Sequence, residues 1–120
     1  MAEGRFDETF VANNDLDDYQ YHILVNSTGN LVDRAVSAGA LCCGVLQNKP
    51  KSGEHATVRM LGRSRIKAGG TITAGNAFTT TASATATAAG SGQYILGIAI
   101  TGVASGGIFQ GLITHAGYKG

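Results

Sequence analysis

The chain has 120 residues and a mass of 12.3 kDa, a size that allows one compact domain and argues against a multidomain enzyme. Glycine supplies 18 residues and proline 1, a composition typical of turns and strands rather than of a Pro-rich disordered chain. The net charge of +1 excludes a uniformly acidic or basic protein, but the charges are unevenly distributed along the chain.

The first 18 residues differ from the rest in both charge and pattern. They contain six carboxylates and one arginine, which gives −5, so residues 19–120 carry +6. Neither helical nor strand periodicity is evident, and charged residues are mixed with isolated large apolar ones. We therefore predict an extended N-terminal arm over residues 1–18 and a β-rich domain over residues 19–120. The candidate contact residues of the arm are Phe6, Phe10, Val11 and Leu16.

From Tyr19 onward the sequence predicts short strands separated by turns. Residues 19–25 are β-branched and aromatic, residues 26–30 favour a turn, and Leu31-Val32 resumes the pattern, which predicts a hairpin. Glycines recur at intervals typical of a small β-sandwich or barrel, and no helix of three turns is expected. The predicted fold class is therefore all-β, in a single small domain. Further strands are expected at residues 41–46, 56–61, 63–67, 71–73, 78–81, 94–101 and 108–114.

The second half of the chain is nearly free of charge. From Ala68 to Tyr118 there are 51 consecutive residues without Asp, Glu, Lys or Arg. A monomer would expose much of that surface, so we expect it to meet another subunit. Within it, residues 79–89 alternate Ala with Ser and Thr, and this pattern favours an edge hairpin or extended loop. The alternative is a close-packed surface that the backbone of another copy approaches.

Targeting and membrane signals are absent from the sequence. It has no run of about 18 apolar residues, and its N-terminus is acidic where a signal peptide would be basic and then apolar. We therefore expect a protein made in the cytoplasm without a membrane partner. Cys42 and Cys43 are adjacent, a spacing that fits neither an ordinary disulfide nor a metal site, and we interpret them as small residues of a strand.

The side chains that enzymes use are scarce. His22, His55 and His115 lie in separate segments, and none forms a spaced pair with another metal ligand or base. From residue 19 onward the only carboxylates are Asp33 and Glu54, too few for paired acid–base catalysis outside the arm. We therefore expect no enzymatic activity, no metal and no cofactor.

Basic residues cluster between Lys49 and Lys67. Such a cluster can bind nucleic acid through its phosphates, but no aromatic residue is interleaved to stack on bases, and we expect no nucleic-acid partner. An acidic protein surface is favoured instead. The candidate contact residues here are Arg59, Arg63 and Arg65.

One combination of motifs resembles a known family. Residues 44–62, GVLQNKPKSGEHATVRMLG, combine a Gly-Val-Leu strand, a loop with Pro and Gly, and a Val-containing strand ending in Gly. A later Leu-Gly-Ile-Ala strand follows at residues 96–99, with glycine turns at residues 66–70 and 74–77 in between. In order and spacing this resembles the bacteriophage capsid decoration proteins, or cement proteins, from Tyr19 to Thr114. That family often has Pro before Gly-Val-Leu, where this chain has the two cysteines.

The resemblance implies a structural protein of the virion on the exterior of an icosahedral head, assembled in the host cytoplasm. It implies a homotrimer that binds the major capsid protein and bridges neighbouring capsid subunits. A binding module that recognises a surface glycan is the alternative. That alternative requires an exposed aromatic platform, for which the chain offers no Trp and only Tyr19, Tyr21, Tyr94 and Tyr118.

Overall fold

The computed structural model describes residues 6–120, and all the regular structure in this range is β. The predicted all-β fold is confirmed. The predicted first hairpin is formed by β2 and β3, and the segments predicted separately at 56–61 and 63–67 form one strand, β5. The nine strands are β1 (Phe6–Ala12), β2 (Ile23–Asn26), β3 (Leu31–Arg34), β4 (Gly44–Leu46), β5 (His55–Lys67), β6 (Ala77–Thr80), β7 (Ala86–Ala88), β8 (Tyr94–Ala99) and β9 (Ile108–Tyr118).

The strands form one continuous hydrogen-bonded sheet in the order β1-β3-β2-β4-β5-β9-β8-β6-β7. An additional antiparallel pairing joins β1 to β5, so the first five strands form a closed circuit. Closure removes the free edges of this half, as in a small barrel. The other four strands continue from β5 as an open antiparallel sheet.

Strand β5 belongs to both halves. Its first part pairs with β1 and β4, and its second part pairs with β9 from Gly62↔Ile113 to Lys67↔Ile108. Gly62 lies where the partner changes and has a φ of +101°, a backbone conformation that favours glycine over every other residue. A single strand thus fixes the position of the barrel half relative to the open sheet.

Two hydrophobic clusters form the core, and β2 and β4 contribute to both. Because successive side chains of a strand point to opposite faces, Ile23 and Val45 join the cluster under the open sheet. Leu24 and Leu46 join the cluster inside the barrel half. The cysteines precede β4 rather than lying within a strand, but they follow the same alternation: Cys42 packs in the first cluster and Cys43 in the second.

Residues 6–18 of the predicted extended arm are docked against the β-rich domain. Within residues 6–18, β1 pairs with β5 from Phe6↔Leu61 to Val11↔His55, and the backbone N–H of Leu16 donates to the carbonyl of Pro50. The side chain of Leu16 is 0% exposed within the barrel cluster. The strand lacks visible alternation because its first four side chains are exposed and do not reach the core. Residues 1–5 of the predicted arm lie outside the described residues.

The Ala/Thr segment forms the predicted edge hairpin. Strands β6 and β7 pair antiparallel, and β7 ends the strand order. Its small side chains contribute to the core, since Ala84 and Ala86 are fully buried. A backbone does approach it closely, but that backbone belongs to the same chain: a Cβ on Gly69 would lie 2.0 Å from Thr85 Oγ1.

We predict that Leu16→Ala lowers the free energy of unfolding by about 2–5 kcal/mol, because it leaves a cavity in a closed core. The matched control is Val36→Ala, at a side chain that is 62% exposed, where we expect a change within about 0.5 kcal/mol. Urea unfolding followed by circular dichroism measures both variants. Equal stabilities for the two would contradict the docked position of residues 6–18.

Candidate interaction surfaces

The exposed side of the open sheet carries a row of apolar side chains. Cross-strand partners share a face, and the register places Arg63 opposite Leu112, Leu112 opposite Ile98, and Ile98 opposite Ala77. Leu112 and Ile98 are 41% and 42% exposed, and Ile108 on the same strand as Leu112 is 48% exposed. We call the surface formed by Arg63, Arg65, Ile98, Ile108 and Leu112 the outer face.

The outer face arises from simple alternation along β9. Phe109, Gly111 and Ile113 point into the core, whereas Ile108 and Leu112 point outward. The sequence predicted strands at residues 94–101 and 108–114, but the candidate contact residues did not include Ile98, Ile108 or Leu112. The signal that could have identified them is a strand that keeps branched apolar residues at its outward positions.

The three candidate arginines occupy different environments. Arg59 is not available to a partner: its Nε and Nη2 donate to the two carboxylate oxygens of Asp7 at 2.8 and 3.0 Å. Arg63 is exposed, and its Nε donates to Gln110 Oε1. Arg65 is exposed and has no hydrogen bond or ion pair from its side chain within residues 6–120. Arg63 and Arg65 therefore lie on the outer face, whereas the side chain of Arg59 is occupied by its ion pair with Asp7.

The apolar candidates of residues 1–18 also occupy different environments. Phe6 is exposed and lies opposite exposed Leu61 on β5, whereas Phe10 is half-buried against the barrel cluster. Val11 is half-buried where β1 meets β3. Leu16 is a core residue and cannot contact a partner in this fold. Of the four, Phe6 alone presents a large exposed apolar surface.

A groove on the barrel half carries acidic side chains. It has a volume of about 450 Å³ and is lined by Asn14, Asp15, Tyr19, Asp33, Arg34 and Val36. Asn14 Nδ2 donates to Asp33 Oδ2 at 2.6 Å, and the guanidinium of Arg34 lies 5.3 Å from the centre of the Tyr19 ring. We call this the acidic groove. The acidic character of residues 1–18 is evident from the sequence, but the position of Asp33 beside them is not, because that proximity depends on the pairing of β1 with β3.

A smaller cavity lies between the two halves. It has a volume of about 290 Å³, and its lining includes Met60, Tyr94, His115 and both cysteines. His115 has a φ of +54°, its Nδ1 is hydrogen-bonded to the Tyr94 hydroxyl, and its Nε2 is buried without a partner among the described residues. Burial raises the pKa of the Cys42 and Cys43 thiols to about 12. Both thiols are therefore protonated at neutral pH and are weak nucleophiles.

Neither a metal-ligating cluster nor a membrane-spanning helix occurs within residues 6–120. In this range no group of three His, Cys, Asp or Glu side chains is placed to hold a metal ion. Nor does this part of the chain contain a helix that could cross a membrane.

The fold has a solved counterpart. The structure described as head fiber gp8.5 N base in bacteriophage phi29 matches with a TM-score of 0.72 and 19% sequence identity. The match covers 97% of this chain and 99% of that chain. The two proteins thus share one fold over nearly their whole lengths. No family model matches the chain, and no curated protein matches it.

We predict that Asp7→Asn weakens the attachment of β1 by about 1–3 kcal/mol, because it leaves the largely buried Arg59 without its charged partner. Hydrogen exchange of the β1 amides, together with urea unfolding, measures the effect. The matched control is Asp17→Asn, which removes a solvent-exposed ion pair to Lys51 that water and salt screen. An effect of Asp7→Asn no larger than that of the control would contradict the role of the Asp7–Arg59 pair.

We predict that neither cysteine of the folded protein reacts readily with the thiol reagent DTNB at pH 8, because both thiols are buried and protonated. Both should react once the chain is unfolded in urea. The absorbance of the released thiolate measures the two rates. Rapid reaction of the folded protein would show that the cavity between the halves opens in solution.

Proposed function

We propose that this protein is a structural component of a bacteriophage head and binds to the head exterior. The observation that carries the proposal is the match to the head fiber N base, because it extends over 97% of the chain. The resemblance of residues 44–62 and 96–99 to capsid decoration proteins supports the same conclusion from sequence order alone.

We propose further that the protein bridges neighbouring major capsid subunits as a homotrimer. Bridging by a homotrimer requires that the copies contact one another and that each copy contacts the capsid. The outer face and the acidic groove are two exposed surfaces that differ in chemistry. One is apolar with arginines, and the other is polar with carboxylates.

A role that depends on binding rather than catalysis fits the side chains available. The three histidines lie in different parts of the fold, and the two thiols are buried. The glycan-binding alternative lacks a specific observation in its favour: of the four tyrosines, Tyr118 alone is exposed, and Tyr94 beside it is buried.

The test uses heads of the phage that encodes this chain, purified from particles in which its gene is deleted. We expect the added protein to co-sediment with the heads until a fixed number of sites is filled, and to raise the temperature at which the heads disrupt. The same protein unfolded by heat and cooled in the presence of urea is the control. Absence of co-sedimentation by folded protein would contradict head binding, and binding without a change in head stability would contradict the bridging role.

A further inference from the structure

The outer face is an unusual surface for a protein that acts alone. Monomeric proteins seldom expose contiguous apolar patches, and those that do use them for binding. Here Ile98 and Leu112 are directly opposed on adjacent strands, and Ile108 lies further along the same face of β9, beyond Gln110. The strands β6, β8 and β9 contain no charged residue at all. A partner surface can therefore cover the centre of the patch without burying a charge of this sheet.

The charges at the border of the outer face are all of one sign. Arg63, Arg65 and Lys67 follow one another at alternate positions of β5, opposite Leu112, Gln110 and Ile108. The side-chain Nζ of Lys67 donates to the carbonyl of Gly106, so the two arginines are the more available cations. A complementary partner therefore has an apolar side chain beside carboxylates.

The acidic groove of the same chain has that chemistry. Its rim carries the carboxylates of Asp15 and Asp33 and the side chain of Val36, which is 62% exposed. The one cation in its lining, Arg34, is directed over the Tyr19 ring. Asp18, which precedes Tyr19 of this lining in the sequence, is a further exposed carboxylate.

We propose that the outer face of one copy packs against the acidic groove of the next copy. The two surfaces cannot meet within one chain, since β3, which bears Asp33, lies on the other side of β5 from β9 and β8 in the sheet order. The contact joins two different surfaces, and such heterologous contacts produce closed rings when the rotation between copies closes. This inference rests on the homotrimer of the proposed function and identifies the two surfaces through which its copies associate.

Another copy is the favoured occupant for a further physical reason. An apolar patch of this kind promotes aggregation for as long as it is exposed. A second copy is present from the moment the chain is made, whereas a capsid surface becomes available only after a head has assembled. Arg63 and Arg65 then meet Asp15 and Asp33, so each copy satisfies charges of its neighbour.

The experiment measures the mass of the full chain in solution by analytical ultracentrifugation, without heads, so its result is separate from that of head binding. We expect a small closed oligomer of the natural protein. Leu112→Asp places an unpaired charge in the interface and should raise the dissociation constant by about 100-fold or more. Because Leu112 is exposed, the monomer should stay folded, which circular dichroism verifies.

Charge reversal tests whether the acidic groove of another copy covers the outer face. Arg65→Glu and Asp33→Lys should each weaken assembly by about 10-fold or more, and the variant that carries both changes should recover it. Lys119→Glu makes the same change of charge as Arg65→Glu, at an exposed position outside both surfaces, and should leave assembly unchanged. Asp15→Lys replaces Asp33→Lys if the latter variant is unfolded.

Three results would overturn the inference. If the natural protein stays monomeric up to its solubility limit, the proposed interface does not form. An oligomer that is unaffected by Leu112→Asp places the contact elsewhere. Loss of assembly in Leu112→Asp without recovery in the double charge variant excludes the acidic groove as the surface that covers the outer face.

Discussion

The structure depends on the pairing of a single long strand, β5. Its 13 residues pair with β1 and β4 at one end and with β9 at the other, so the barrel half and the open sheet are built on the same backbone. Register along a strand decides which face each side chain occupies. The alternation of β5 therefore determines that Val58 and Ile66 are buried, while Arg63 and Arg65 are exposed.

The same constraint gives neighbouring arginines different roles. Arg59 lies opposite Asp7 in the β1 pairing and forms a bidentate ion pair that is mostly shielded from water. Arg63 and Arg65 lie beyond the change of partner at Gly62, opposite the uncharged strand β9. The three arginines of one basic cluster thus divide into a residue that stabilises the fold and two that are available for binding.

The sequence predicted the elements of the fold better than their assembly. Alternation and glycine spacing identified the all-β class, the β2–β3 hairpin and the β6–β7 edge hairpin, since these depend on local preferences. The position of residues 6–18 could not be predicted in the same way. Only the distant partner β5 explains why Phe6–Ala12 is a strand, and only the closed barrel explains why Leu16 is buried. The acidic groove was missed for the same reason.

In the proposed role, the protein lies on the exterior of a phage head with its uncharged sheet covered by another copy. A cryo-electron microscopy reconstruction of heads carrying the protein is the most direct test. We expect density on the head exterior in which rings of copies bury Ile98 and Leu112 against the Asp33 side of their neighbours. Heads without such density, or copies whose β8–β9 surface faces solvent, would contradict it.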